Sequence, residues 1–84
     1  MKKKIIILGS TGSIGTSTLE VIKKDKKNFD VILLTADRNY KKLAEQAINF
    51  KAKNILIKNK NYLDKLKQLL KNKNIKIYSG NTRI

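Results

Sequence analysis

The hydrophobic positions of the chain fall into short apolar runs that alternate with amphipathic stretches. Residues 4–8 form a β-branched run without polar alternation, which is the pattern of a strand buried on both faces of a parallel sheet. Gly9 ends this run. Residues 13–24 carry apolar side chains at helical spacing, and we predict that the face of this helix that packs on the sheet consists of Ile14, Thr18, Val21 and Ile22.

The alternation continues through the rest of the chain. Strands are predicted at residues 31–35, 55–57 and 75–78, and a helix is predicted at residues 40–50. A further helix is predicted from a stripe of apolar residues at helical spacing, which are Tyr62, Leu63, Leu66, Leu69 and Leu70. The dipeptide Ser79-Gly80 then ends the last strand.

The order of these elements predicts the α/β class. The order β-α-β-α-β-α-β, joined by right-handed crossovers, forms a doubly wound, Rossmann-like parallel sheet. With 84 residues, no proline and no internal repeat, the chain is at most one small domain. No helix follows the last predicted strand, so we expect a truncated domain. Residues 1–84 would be the N-terminal part of a dinucleotide-binding domain whose remainder is absent.

A glycine-rich stretch lies between the first predicted strand and the first predicted helix. Its glycines follow the pattern G-x-x-G-x-x-G, and a Rossmann dinucleotide site has its glycines at this junction. Gly9 would let the chain turn sharply, Gly12 would let the backbone approach a pyrophosphate, and Gly15 would let the helix pack close to the strand. Unpaired N–H groups of the first helical turn, with the hydroxyls of Thr11 and Ser13, would then bind the phosphates.

A connecting turn and a nucleoside-triphosphate P-loop are the two alternatives to a dinucleotide site in this stretch. A glycine-rich turn that only connects strand to helix remains the alternative. A nucleoside-triphosphate P-loop is excluded, because its second glycine would fall on Ile14 and no lysine follows until Lys23.

The end of the second predicted strand carries the next informative residues, Asp37, Arg38 and Asn39. They begin about 20 residues after the glycines, where a Rossmann domain binds the adenosine ribose. An acidic residue there binds the 2′-hydroxyl of NAD, whereas an arginine pairs with the 2′-phosphate of NADP. Both kinds are present, so the choice stays open; Arg38 and Asn39 favour NADP if Asp37 points away. The alternative is an exposed ion pair within the loop.

The net charge of +14 favours a different class of protein, a small basic nucleic-acid-binding module. However, Lys, Ile and Asn make up 39 of the 84 residues, which a strongly A+T-rich genome produces without selection for charge. The charge is +9 in residues 51–84 and +5 in residues 1–50, so the excess is greatest away from the glycines. We therefore favour compositional bias and expect no nucleic-acid partner.

The residues that catalysis and metal binding most often use are missing or scattered. The chain has no histidine and no cysteine, which removes the commonest general base and thiolate metal sites and fits a reducing compartment. The acidic residues do not cluster; they are Glu20, Asp25, Asp30, Asp37, Glu45 and Asp64. We therefore predict no catalytic residue and no metal site in this chain.

The chain also shows no targeting segment. The apolar run before Gly9 is shorter than the roughly 7–15 residues of a signal-peptide core, and no stretch reaches the length of about 20 residues needed to span a membrane. We expect a cytoplasmic protein with no membrane partner.

The glycine stretch resembles a known family. Residues 8–15, followed by the dipeptide Thr18-Leu19, are similar to the N-terminal stretch of the 1-deoxy-D-xylulose 5-phosphate reductoisomerase family, which needs NADPH and a divalent metal in the methylerythritol phosphate route to isoprenoids. The further matches are Ala36, Arg38, Asn39, Glu45, Gln46, Phe50, Ser79 and Gly80. The resemblance covers the whole chain but only the start of a several-fold longer enzyme.

The resemblance implies roles for individual residues. Those that would contact the cofactor phosphates are Thr11, Gly12, Ser13 and Ile14. Arg38 and Asn39 would hold the 2′-phosphate. Asp37 departs from the family pattern, which usually has glycine there, and it adds a negative charge near the expected phosphate. This departure bears on cofactor preference.

The resemblance also implies an activity for the longer parent. The parent would be a homodimer that converts 1-deoxy-D-xylulose 5-phosphate into 2-C-methyl-D-erythritol 4-phosphate with NADPH and magnesium or manganese. Its metal-binding and substrate-phosphate residues would lie beyond Ile84, so we expect the 84-residue chain alone to be inactive. The alternatives are the NAD(P)-binding domain of an extended short-chain reductase or of a semialdehyde dehydrogenase, and the basic nucleic-acid-binding module.

Overall fold

Residues 2–80 fold into four parallel strands and three α-helices in the predicted order. The structure is a computed structural model that describes residues 2–80. The strands are β1 (Lys3–Ile7), β2 (Phe29–Ala36), β3 (Asn54–Ile57) and β4 (Lys76–Ser79). The helices are α1 (Ser13–Lys23), α2 (Tyr40–Phe50) and α3 (Leu63–Leu69), with short 3-10 helices at Lys26–Asn28 and Lys60–Tyr62.

The strands form one sheet in the order β1-β2-β3-β4, and every neighbouring pair is parallel. This confirms the predicted α/β class. The order advances in one direction across the sheet, as it does in one half of a doubly wound sheet. Because all four strands run the same way, their carboxyl ends lie along a single edge, and the loops that follow β1, β2 and β3 meet there.

The core forms where the central strands contact the helices. Leu34 of β2 pairs in register with Ile55 of β3, and both are fully buried with Ile57 of the same strand. Leu43 of α2 and Leu66 of α3 are fully buried against them. These side chains are the apolar positions of the predicted strands and helical stripes. The burial of each is worth about 1.5–3 kcal/mol relative to exposure.

The first strand differs from its prediction. The unalternating run at residues 4–8 predicts burial on both faces, but β1 is an edge strand of the described sheet. Ile7 is buried in the core, whereas Ile6, on the opposite face, is 55% exposed, and Leu8 after the strand is 70% exposed. An apolar run reports which side chains favour burial, not how many neighbours the strand has.

The packed face of α1 also differs from its prediction. Ile14 and Val21 are 83% and 68% exposed, and Thr18 is exposed as well, so only Ile22 of the predicted face is buried. The helix instead packs through a stripe that begins with a glycine: Gly15, Leu19 and Ile22. Both stripes have helical spacing, and the buried one was missed because glycine contributes no hydrophobic signal.

Among residues 2–80, none of the helices combines the length and the apolar character needed to cross a membrane.

Candidate functional site

The two predicted site segments, residues 9–15 and 37–39, lie at the carboxyl edge of the sheet. Backbone hydrogen bonds tie the loops to the neighbouring strands: Ser10 N–H donates to the Thr35 carbonyl at 2.8 Å, and Asn59 N–H donates to the Asp37 carbonyl at 2.9 Å. The loop after β1 is therefore fastened to β2, and the loop after β2 to the loop after β3. The fold therefore places residues 9–15 and residues 37–39, which sequence spacing assigned to the binding of one dinucleotide, at the same edge of the sheet.

Gly9 makes the sharp turn that was predicted for it. Its φ of +69° lies in the left-handed region, where a side chain strains the backbone and glycine does not. Its N–H donates to the Thr35 hydroxyl at 2.9 Å, and its carbonyl accepts from Gly12 N–H at 3.1 Å. The loop after β1 thus closes on itself before α1 begins.

Gly15 and Gly12 have different roles in this loop. A Cβ at Gly15 would lie 2.4 Å from the Gly9 carbonyl oxygen and 2.6 Å from the Ser10 Cα. Gly15 therefore allows close packing as predicted, but its partner is the loop after β1 and not the strand. A Cβ at Gly12 would lie 3.4 Å from the Gly9 oxygen, which is ordinary contact. The fold requires glycine at position 15 and tolerates a side chain at position 12.

The amino terminus of α1 is open. Gly12 is its N-cap and makes no side-chain capping bond, so the N–H groups of the first turn lack intrahelical partners. Gly12, Ser13 and Ile14 are exposed, and Thr11 is half-buried. The helix dipole places partial positive charge at this end, and the free N–H groups make it suitable for a phosphate. The predicted phosphate-contacting residues therefore surround this terminus.

The loop after β2 exposes its charged side chains. The Arg38 Nε lies 3.8 Å from Asp37 Oδ2, and the two side chains are 72% and 71% exposed. This is the exposed ion pair named above as the alternative, and Asp37 does not point away from Arg38. A pair so exposed contributes little stability, so the Arg38 guanidinium is available to a stronger anion.

Asn39 has a structural role in addition to its predicted one. Its Oδ1 accepts from Lys42 N–H at 3.3 Å and caps the amino terminus of α2, a position that asparagine favours. The binding of a 2′-phosphate by Asn39 stays a prediction.

Three buried polar residues beneath the glycine loop were not among the predicted site residues: Ser10, Thr35 and Gln46. One signal could have found Gln46, because it lies between Leu43 and Ala47 on the apolar face of the predicted second helix. A polar side chain at a core position needs a hydrogen-bond partner, and here that partner is the glycine loop.

The part of the chain that the structure describes holds no group of three or more His, Cys, Asp or Glu side chains that could bind a metal ion. These residues therefore do not fit the divalent metal that the resemblance implies for the longer enzyme.

A sequence model of the 1-deoxy-D-xylulose 5-phosphate reductoisomerase family matches residues 5–84. The chain is 48% identical over 78 residues to the reductoisomerase of Pelagibacter ubique. The aligned residues cover 93% of this chain and 20% of the relative. It is 45% identical over 84 residues to that of Buchnera aphidicola subsp. Schizaphis graminum, covering 98% of this chain and 21% of the relative. The chain thus spans about a fifth of the length of these curated relatives.

Solved structures of reductoisomerases are also similar. The enzyme from Zymomonas mobilis in complex with NADPH matches with a TM-score of 0.93 and 36% identity, over 95% of this chain and 21% of that one. A reductoisomerase in complex with NADPH, fosmidomycin and magnesium matches with a TM-score of 0.87 and 30% identity, over 94% of this chain and 20% of that one.

Proposed function

The chain belongs to the 1-deoxy-D-xylulose 5-phosphate reductoisomerase family, and from that premise we propose that residues 1–84 form the N-terminal part of an NADPH-binding Rossmann domain. The observation that carries the proposal is the open amino terminus of α1, held beside a left-handed turn at Gly9. That arrangement presents unpaired N–H groups to an anion at the edge of the sheet where dinucleotides bind.

The residues of this edge fit a dinucleotide phosphate. The backbone N–H groups of Ser13 and Ile14, with the hydroxyls of Thr11 and Ser13, would hold the pyrophosphate. Gly12 would let the pyrophosphate approach because it has no side chain. The fold itself has room for a Cβ at this position, so packing alone does not require glycine there. Residues 11–14 would therefore recognise the charged phosphates and not a particular nucleobase.

Arg38 would select the phosphorylated cofactor. Its guanidinium can make two charge-assisted hydrogen bonds to a 2′-phosphate, whereas the 2′-hydroxyl of NADH offers no such partner. The competing contact with Asp37 is long and exposed, so a phosphate dianion can displace it. Asp37 would still repel that phosphate and lower the affinity for NADPH.

The activity we propose belongs to a longer parent enzyme. The parent would convert 1-deoxy-D-xylulose 5-phosphate into 2-C-methyl-D-erythritol 4-phosphate; when bound, NADPH supplies the hydride and a divalent metal polarises the substrate oxygens. One structurally similar reductoisomerase has been solved in complex with NADPH, fosmidomycin and magnesium. The described residues contribute the cofactor-binding edge and no catalytic group, so the 84-residue chain alone would be inactive. A cytoplasmic location, which the cysteine-free sequence fits, and a homodimeric parent complete the proposal.

Titration of the purified chain with NADPH and with NADH tests the cofactor assignment. We expect saturable binding of both, with NADPH bound more tightly. Equal affinities would contradict the role of Arg38, and no binding of either would contradict the proposal.

A parallel titration with duplex DNA tests the basic-module alternative. We expect weak, sequence-independent binding that falls steeply with salt, as counterion release requires; sequence-selective binding at physiological salt would favour the alternative.

A further inference from the structure

A buried polar cluster attaches the glycine loop to the rest of the fold, and the proposed function does not use it directly. Its members are Ser10, Thr35 and Gln46, which are 0%, 4% and 8% exposed. They come from three elements of the fold: the loop after β1, the strand β2 and the helix α2. None of them is open enough to bind a nucleotide itself, so any effect on binding must pass through the loop.

Gln46 holds Ser10 through two hydrogen bonds. The Ser10 hydroxyl donates to Gln46 Oε1 at 2.7 Å, and Gln46 Nε2 donates to the Ser10 carbonyl at 2.9 Å. Because one amide both accepts and donates, it fixes the orientation of the Ser10 peptide as well as its position. The two residues are 36 positions apart along the chain, so this contact exists only in the folded protein.

Thr35 completes the attachment from the other side. Its carbonyl accepts from Ser10 N–H at 2.8 Å, and its hydroxyl accepts from Gly9 N–H at 2.9 Å. The polar groups of Ser10 are therefore all paired, and its Cα is the surface on which Gly15 packs. Ser10 is the fixed point from which both the loop and the first turn of α1 extend.

We propose that Gln46 is a positioning residue for dinucleotide binding, whose amide holds Ser10 so that the N–H groups of Ser13 and Ile14 face the phosphates before the ligand arrives. This inference rests on the proposed function. A loop that is ordered in advance loses less conformational entropy on binding, and affinity rises accordingly. Without Gln46, the Ser10 hydroxyl and carbonyl would lose their partner on α2, and the loop could move.

The chemistry of the cluster requires an amide at position 46. An apolar side chain of similar volume would leave the buried Ser10 carbonyl without a partner. The Ser10 hydroxyl would keep only its longer hydrogen bond to the Thr35 carbonyl, at 3.3 Å. A carboxylate would place an acceptor against the Ser10 carbonyl, which is also an acceptor. Gln46→Glu is therefore the sharpest test, because it changes one donor to an acceptor and leaves the shape of the side chain intact.

The chain offers a matched control for this substitution. Gln68 lies exposed on α3, so Gln68→Glu makes the same chemical change and adds the same charge away from the glycine loop. Affinity for NADP⁺, which is stable in acid, is measured for the wild type and both variants under conditions in which amide NMR spectra show folded protein. At about neutral pH we expect Gln46→Glu to weaken NADP⁺ by roughly tenfold or more, and Gln68→Glu by less than about twofold.

A pH series separates positioning from a general loss of structure. Burial raises the pKa of the introduced carboxyl. Once protonated, its hydroxyl can donate to the Ser10 carbonyl while its carbonyl oxygen accepts from the Ser10 hydroxyl, as the amide does. The affinity of Gln46→Glu relative to the wild type should therefore recover as the pH falls from about 8 to about 5.

Gln46 also lines a groove between α1 and α2 that contains charged side chains. These side chains are the same in the variant and the wild type, so they do not account for the recovery. They are Glu20, Lys23, Lys26, Lys42 and Glu45. Titration of these groups or of the nucleotide cancels in the ratio of variant to wild type.

A second variant keeps the inference testable if Gln46→Glu does not fold at neutral pH. Gln46→Met has similar volume and no charge, and we expect it to weaken NADP⁺ without any recovery at low pH. Affinities of both variants within about twofold of the wild type would overturn the positioning role and leave the proposed function intact. A wild type that binds no NADP⁺ would overturn both. Loss of affinity in Gln46→Glu without recovery at low pH would also overturn the positioning role.

Discussion

The loop after β1 and the loop after β2 lie at the same edge of the sheet but are built differently. The first is attached through buried hydrogen bonds at Ser10 and through the close approach of Gly15, and it exposes mainly backbone. The second has an anchored backbone but exposes the side chains of Asp37 and Arg38. The first loop is therefore suited to the pyrophosphate that every dinucleotide has, and the second to the ribose substituent that distinguishes them. Substitutions in the loop after β1 should change stability or the affinity for both cofactors, whereas substitutions in the loop after β2 should change the selectivity between NADPH and NADH.

The largest expected effect is on stability, from Gly15→Ala. The added Cβ would lie 2.4 Å from the Gly9 carbonyl oxygen, and because that atom is backbone, the loop or the helix must shift. Overpacking costs about 1–3 kcal/mol, and a contact this short with backbone places Gly15→Ala at the upper end of that range, above the roughly 1 kcal/mol that alanine gains over glycine within a helix. We expect a net loss of about 2 kcal/mol in urea unfolding. A stability equal to that of the wild type would show that the loop is not held as described.

The next effect is on selectivity, from Arg38→Ala. Charged hydrogen bonds are worth about 1.5–3 kcal/mol, so NADPH should bind about 10- to 100-fold more weakly while NADH is nearly unchanged. Unfolding stability should stay within about 0.5 kcal/mol, because the side chain is exposed. Equal weakening of both cofactors would mean that Arg38 does not bind the 2′-phosphate and that Asp37 determines ribose recognition.

A smaller effect on affinity without selectivity is expected from Gly12→Ala. The Cβ has room within the fold, 3.4 Å from the Gly9 oxygen, so the stability loss should be less than about 1 kcal/mol. The methyl group would obstruct the approach of the pyrophosphate, and NADPH and NADH should both bind about tenfold more weakly. Gly15→Ala is the matched comparison, since it makes the same change where the fold has no room. A large stability loss in Gly12→Ala would remove the distinction between the two glycines.

The smallest expected effect is a gain, from Asp37→Gly. Removal of the carboxylate frees Arg38 and relieves repulsion of the phosphate, so NADPH should bind a few-fold more tightly with NADH unchanged or weakened. Calorimetric titration at low and high salt checks this, because the gain should shrink as salt screens the charges. Weaker NADPH binding in the variant would indicate that Asp37 orients Arg38 and does not oppose it.

The elements with strong local signals were the ones that the sequence predicted best. The second helix begins and ends where it was predicted, at residues 40 and 50, and Asn39 caps its amino terminus. The first helix was placed correctly, but its packed face was wrong. Two stripes share that spacing, and the buried one includes Gly15, whose contact is visible only when the loop is folded against it.

The site was predicted where it depends on backbone geometry and missed where it depends on distant contacts. Gly9 and the open start of α1 follow from local rules about glycine and helix ends. The place of Gln46 on the apolar face of α2 is a local signal that it is buried, but its partner could not be assigned from local rules, because Ser10 lies 36 positions away. The ion pair between Asp37 and Arg38 was open at the sequence level for a related reason, since residue order does not determine where exposed side chains point.

Amide NMR of the chain titrated with NADPH tests the proposed cofactor site most directly. We expect NADPH to shift the backbone amides of residues 11–14 and of Arg38, and NADH to shift the first set but not the second. Shifts confined to the lysine-rich segment from Lys51 to Lys76, or shifts that are the same for both cofactors at every residue, would contradict it.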